Sequence, residues 1–173
     1  MRDKAYRLTL DACLAAVAMM LSFLETLLPL PLPLPGLRLG LCNVAVMLAL
    51  FHIGVPDAAC ISLCRILLSW LLFGNLSGFL FSLGGGACSF FALWLMRRCG
   101  DAVSRPCASV AGAAAHMLGQ SLVCALLYGS AVLFRYLPFL LLASIPLGAL
   151  TGLLVLLVER RVPAFRLSPE VKR

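Results

Sequence analysis

Apolar residues fill this chain in long blocks, interrupted by short clusters of glycine, proline or charge. Most blocks match the ~20 residues that an α-helix needs to cross a bilayer. The pattern predicts six spans in one integral membrane domain covering 1–173, at about 8–28, 39–53, 57–73, 79–96, 107–128 and 137–158. The second is short unless its outer end takes in part of the preceding loop. Gly54-Val55-Pro56-Asp57 reads as a tight turn that starts the third, because proline and aspartate suit a first helical turn. Between the first two spans lies a different pattern, with prolines at 29, 31, 33 and 35, leucines between them, and Gly36 at the end. Proline lacks the backbone donor and disfavours helix in the residue before it. Pro29, Pro31, Pro33, Pro35 and Gly36 are therefore expected to form a stiff, extended, apolar lid in polyproline II conformation.

Composition agrees with a lipid solvent. Of 173 residues, 62% are hydrophobic and 12% charged, with a mean hydropathy of +1.05. A soluble domain carries about a quarter charged residues, and this apolar excess is too large for one core. The fold class is all-α and polytopic. The first block is too long, and its downstream flank too apolar, for a cleaved signal peptide. The net charge of +7 could suggest nucleic acid, but the basic residues sit beside span ends instead of among aromatics, so no nucleic-acid partner is expected. Arg2, Lys4 and Arg7, then Arg97, Arg98 and Arg105, then Arg160, Arg161, Arg166, Lys172 and Arg173 fall on one face of the six-span topology. Only Arg38 and Arg135 fall on the other. The positive-inside rule then puts both termini in the cytoplasm, and the lid outside.

Against this background a few polar residues stand out. Counting from the cytoplasmic span ends places Asn43, Arg65 and His116 roughly 12–15 Å deep, near one plane. Gln120 lies one turn beyond His116, and Glu25 near the outer end of the first span. Ionisable residues at such depth usually face a protein interior or a cavity. Since no comparable set occurs in the inner half, Glu25, Asn43, Arg65, His116 and Gln120 predict a polar cavity that opens outward beneath the lid. Glu25 is the expected counter-charge for Arg65 or Arg38. Arg65 could instead be structural, His116 could simply bond a neighbouring helix, and Arg38 could anchor the second span at the headgroups. Two small-residue motifs, Ala12/Ala16 and Gly148/Gly152, read by default as internal packing and, more sharply, as partner-docking faces.

Several chemistries are excluded. No phosphate-binding G-x-x-x-x-G-K-[ST] loop is present. The four aspartates, at positions 3, 11, 57 and 101, are too scattered to hold magnesium on a diphosphate. The eight cysteines include no C-x-x-C pair and read as small hydrophobes. No metal, cofactor or catalytic residue is expected, and the chain reads as a non-enzyme.

The stretches E-x-x-x-P-x-P, P-G-L-R-L-G-L-C-N, C-R-I-L-L-S, F-S-L-G-G-G and A-H-M-L-G-Q together resemble the Gx transporter family, also described as heptaprenyl diphosphate synthase component I. The resemblance spans roughly Leu8 to Glu159, with Met117 standing where an asparagine is expected. That family in turn is similar to the substrate-binding (S) components of energy-coupling factor (ECF) transporters. The resemblance implies six helices with both ends inside, in a bacterial cytoplasmic membrane. It also implies a first outer loop closing over a small vitamin-like ligand. Ala12 and Ala16 would be the face that docks a transmembrane coupling protein, itself driven by ATPases. Isoprenoids, quinone precursors and flavins all suit a site of arginine, histidine and leucine. The alternative function is a non-catalytic membrane subunit associated with heptaprenyl diphosphate or menaquinone biosynthesis.

Overall fold

A computed structural model of the protein describes residues 2–27, 40–73, 76–129 and 132–162. The expected lid, Pro29 to Gly36, and Arg38 lie outside the described residues. The helices are α1 (Arg2–Leu27), α2 (Asn43–His52), α3 (Val55–Phe73), α4 (Leu76–Arg98), α5 (Arg105–Tyr128) and α6 (Val132–Arg161), with one 3-10 turn, Gly100–Ala102, before α5. The protein is an all-α, multi-pass membrane protein. Among the described residues, five helices are long and apolar enough to cross a membrane.

The exception is α2, and it corrects the expected second span of 39–53. Its 10 residues reach only about 15 Å at 1.5 Å per residue, half of a hydrocarbon core of about 30 Å. In compensation, every residue from Val44 to Phe51 is buried. A helix that is apolar all round belongs inside a protein, and α2 touches α1, α3, α4 and α6. It is the central pillar of the bundle. Around it, α1 turns Leu14, Ala18 and Ser22 inward at intervals of four residues, while Leu8, Met20 and Leu27 remain exposed. Four residues is close to one helical turn, so these positions form one stripe.

Glycine sets the spacing of the other helices. At Gly84, Gly85 and Gly86 an added Cβ would meet Val123 and Gly119 of α5, the His116 ring of α5, and Ile66 of α3 respectively. Three successive glycines thus let α4 close on both neighbours. At Gly148 and Gly152 of α6 an added Cβ would lie 2.6 Å from Val110 Cα and 2.5 Å from Pro106 Cα. That motif is an internal seam between α5 and α6. Ser109 and Thr151 hydrogen-bond across the same seam at 2.7 Å. Ala12 and Ala16 behave differently, since both are exposed on α1.

Candidate functional site

The start of α2 is the first element of the site. Gly40 adopts a left-handed φ of 73°, a conformation that costs a glycine little. It turns the chain so that Asn43 N–H donates to Gly40 O at 2.9 Å. A helix start leaves backbone N–H groups without intrahelical acceptors, and within lipid no water replaces them. Glu25 of α1 supplies the acceptor: its carboxylate takes hydrogen bonds from Leu41 N–H and Cys42 N–H. It is also an anion at the positive end of the α2 dipole. Glu25 is therefore a cap on α2 and does not pair with Arg65, one of its two expected counter-charges; the other, Arg38, lies outside the described residues. Replacing Glu25 with alanine should lower unfolding stability by about 1–2 kcal/mol, read by thermal unfolding in detergent. Glutamine, which keeps one acceptor oxygen, should recover much of the loss.

Arg65 of α3 is 2% exposed. Its Nη1 donates to Ser22 Oγ of α1 at 3.2 Å, while Nε and Nη2 are buried with no hydrogen-bond partner. No carboxylate pairs with it among the described residues. A buried guanidinium with one neutral acceptor is costly, because its desolvation is not offset by an opposite charge. Two of its donors remain available to a carboxylate, phosphate or carbonyl oxygen, the groups that the planar fork of arginine recognises best.

His116, also buried, occupies a different seam. Its ring lies against Gly85, where an added Cβ would stand 2.8–3.0 Å from ring atoms. Gln120 follows half-buried on the same helix. The polar set therefore divides: Glu25 and Arg65 belong to the α1 side of the bundle, and His116 to the α4–α5 seam, with Gln120 one turn farther along α5. Gly85→Ala should push the imidazole out of its seat while the helices stay paired, since a ring can swing where backbone cannot. The expected result is faster modification of His116 by diethyl pyrocarbonate, with His52 as the internal control.

Asn43 reaches a third group of residues. With Gly40, Met47, Ser89, Leu93, Ser109, Gly112, Ala113 and Thr151 it lines a small cavity among α2, α4, α5 and α6. Thr151 shares its one hydroxyl proton between Leu147 O and Gly148 O at 3.1 and 3.0 Å, which leaves Ser109 as the donor in the Ser109–Thr151 bond. Ser89 Oγ is buried there without a partner. The serines and the threonine were not among the expected site residues. Their hydroxyls are too common in membrane helices to stand out in a sequence.

The opposite end of the bundle carries a cluster that the chain pattern gave no reason to expect. Glu159 Oε1 of α6 accepts from Arg105 Nε of α5 at 3.1 Å and meets His52 Nε2 of α2 at 2.8 Å. The Arg105 guanidinium also stacks over Phe51, 4.1 Å from the ring centroid. The inner half is thus not devoid of polar side chains. Three helix ends are tied there by one carboxylate. The only available signal was Glu159 itself, a lone acid beside Arg160 and Arg161.

A family model described as heptaprenyl diphosphate synthase component I matches residues 14–158 of the chain. The part of the resemblance that named this family is borne out. No curated protein and no solved structure matches.

Proposed function

Since the chain belongs to the heptaprenyl diphosphate synthase component I family, we propose that it is a non-catalytic membrane subunit that captures a small ligand inside the bilayer. The ligand carries an anionic or carbonyl group and an apolar portion, the combination found in isoprenoid diphosphates, quinone precursors and flavins. One observation carries this reading: Arg65 is a buried cation with two donor nitrogens that no group among the described residues uses. Asn43, His116 and Gln120 contribute polarity elsewhere in the bundle, and Glu25 holds the start of α2. Arg38 and the Pro29–Gly36 lid, outside the described residues, belong to the same proposed site.

In this reading the protein sits in a bacterial cytoplasmic membrane with both termini inside. It works as an S-component-like member of the Gx transporter family. The exposure of Ala12 and Ala16 supports that assignment, because a docking face for a coupling protein must be free of internal packing. The test is chemical extraction of purified protein. Wild type should release a small anionic molecule in near-stoichiometric amount, and Arg65→Gln should release at least tenfold less, a loss of about 1.4 kcal/mol or more. Equal yields from both would remove Arg65 from the site.

The family description favours a second reading, a membrane subunit that recruits a prenyl synthase without transporting anything. Purification from native membranes separates the two. Co-recovery of a coupling protein with ATPases supports capture for transport, and co-recovery of a prenyl synthase without ATPases supports recruitment.

A further inference from the structure

The basic end of the α4–α5 seam has features that neither the ligand site nor general topology explains. Arg97 is half-buried near the end of α4, and its Nη1 is fully enclosed without a hydrogen-bond partner. No acid pairs with it among the described residues. Its charged neighbour across the turn is Arg105, of the same sign. Glu159 is already engaged by Arg105 and His52, so no carboxylate among the described side chains compensates the positive charge at Arg97. That nitrogen is enclosed while the residue as a whole is only half-buried, so part of the guanidinium remains reachable from the membrane surface.

The surface beside it is apolar and open. Trp94 and Leu95 lie three and four residues after Phe91, and Arg98 three and four after Leu95 and Trp94, so the four share a face of α4. Phe91 is 61% and Leu95 46% exposed. Trp94 stacks against Phe91 with centroids 5.7 Å apart, and Arg98 lies 4.1 Å above the Trp94 ring. Tryptophan in this position belongs to the interfacial belt, at headgroup level. Arg98 thus tops an aromatic, lipid-facing strip, and Arg97 sits one residue back, on the flank that continues the buried Ser89–Leu93 stripe toward the α5 seam.

We propose that this seam binds an anionic phospholipid, with Arg97 and Arg98 gripping the headgroup phosphate and Phe91, Trp94 and Leu95 bedding an acyl chain. A phosphate oxygen offers the acceptor that Arg97 lacks, and arginine takes phosphate in a two-pronged grip. Basic pockets between helices at the cytoplasmic side are where such headgroups bind. The continuous apolar strip below the arginines favours a lipid over an acidic protein segment, which would have no use for it. This site is separate from Arg65 and stands or falls without it.

Native mass spectrometry of the full chain in neutral detergent, titrated with phosphatidylglycerol or phosphatidylcholine, tests the proposal. Wild type should retain phosphatidylglycerol about five- to tenfold more than phosphatidylcholine, the effect of one or two basic contacts. Arg97→Gln should remove most of that preference, and Arg98→Gln part of it, so the idea survives if one variant fails to fold. Arg161→Gln, away from the seam, should leave the preference intact. Equal retention of the two lipids, or a preference unchanged in both seam variants, would overturn it. So would displacement of the lipid by inorganic phosphate at millimolar concentration, which would mark a site for free phosphate, or by an acidic peptide alone.

Discussion

Arg65→Met should raise the unfolding temperature of the purified, ligand-free protein by several degrees while abolishing ligand capture. The two effects have one cause. Arg65 is 2% exposed and holds a single neutral acceptor, Ser22 Oγ, with Nε and Nη2 unmatched. Replacement of buried ionic groups by well-packed apolar side chains of similar volume is often stabilising, by about 1–4 kcal/mol. Methionine is flexible enough to fill the space beside Ser22 without strain. An arginine whose donors were all met by protein acceptors would show the opposite sign, since its removal would orphan several partners and lower stability. Stabilisation with loss of binding is the mark of a site whose strain is relieved by ligand. Thermal unfolding in detergent, with and without a co-purified ligand, reads both effects.

Gly119→Ala should be among the most damaging single-carbon changes at the described glycines, comparable with Gly152→Ala. An added Cβ would stand 2.5 Å from Gly84 O and 2.7 Å from Cys88 Sγ. The first of these is backbone on the facing helix and cannot swing aside, so α4 and α5 must separate along the seam that also seats His116. Overpacking costs about 1–3 kcal/mol where side chains can adjust, and a clash with backbone should lie at or beyond the top of that range. Lower yield of monodisperse protein and a lower unfolding temperature are the expected readouts. Gly85→Ala, which meets only imidazole atoms, should be far milder.

The sequence was most legible where the physics was local. Five helices announce themselves by length and hydropathy, because lipid leaves a backbone no other way to satisfy itself. Arg65 and His116 were likewise visible as polar residues too deep to be incidental. Helix rotation was not legible. Depth counting put both residues near one plane, but the side each faces depends on small-residue packing. Gly85 draws His116 toward α4, and Ser22 draws Arg65 toward α1. The shortness of α2 was hidden for a related reason, since Leu39 to Leu41 is apolar enough to read as helix. The helix starts at Asn43 because Gly40 takes a left-handed φ and Glu25, sixteen residues away, accepts the Leu41 N–H. The His52–Glu159 contact spans 107 positions, and no local pattern encodes a pairing at that distance.

The central claim is that Arg65 holds a ligand. An experimental density map of wild-type protein extracted gently from its native membrane tests it most directly. The account predicts non-protein density within hydrogen-bonding distance of Arg65 Nε and Nη2, absent from a map of Arg65→Met prepared in the same way. If the space beside Arg65 proves empty in wild type, with both nitrogens turned onto backbone carbonyls, the residue is structural and the capture function is contradicted.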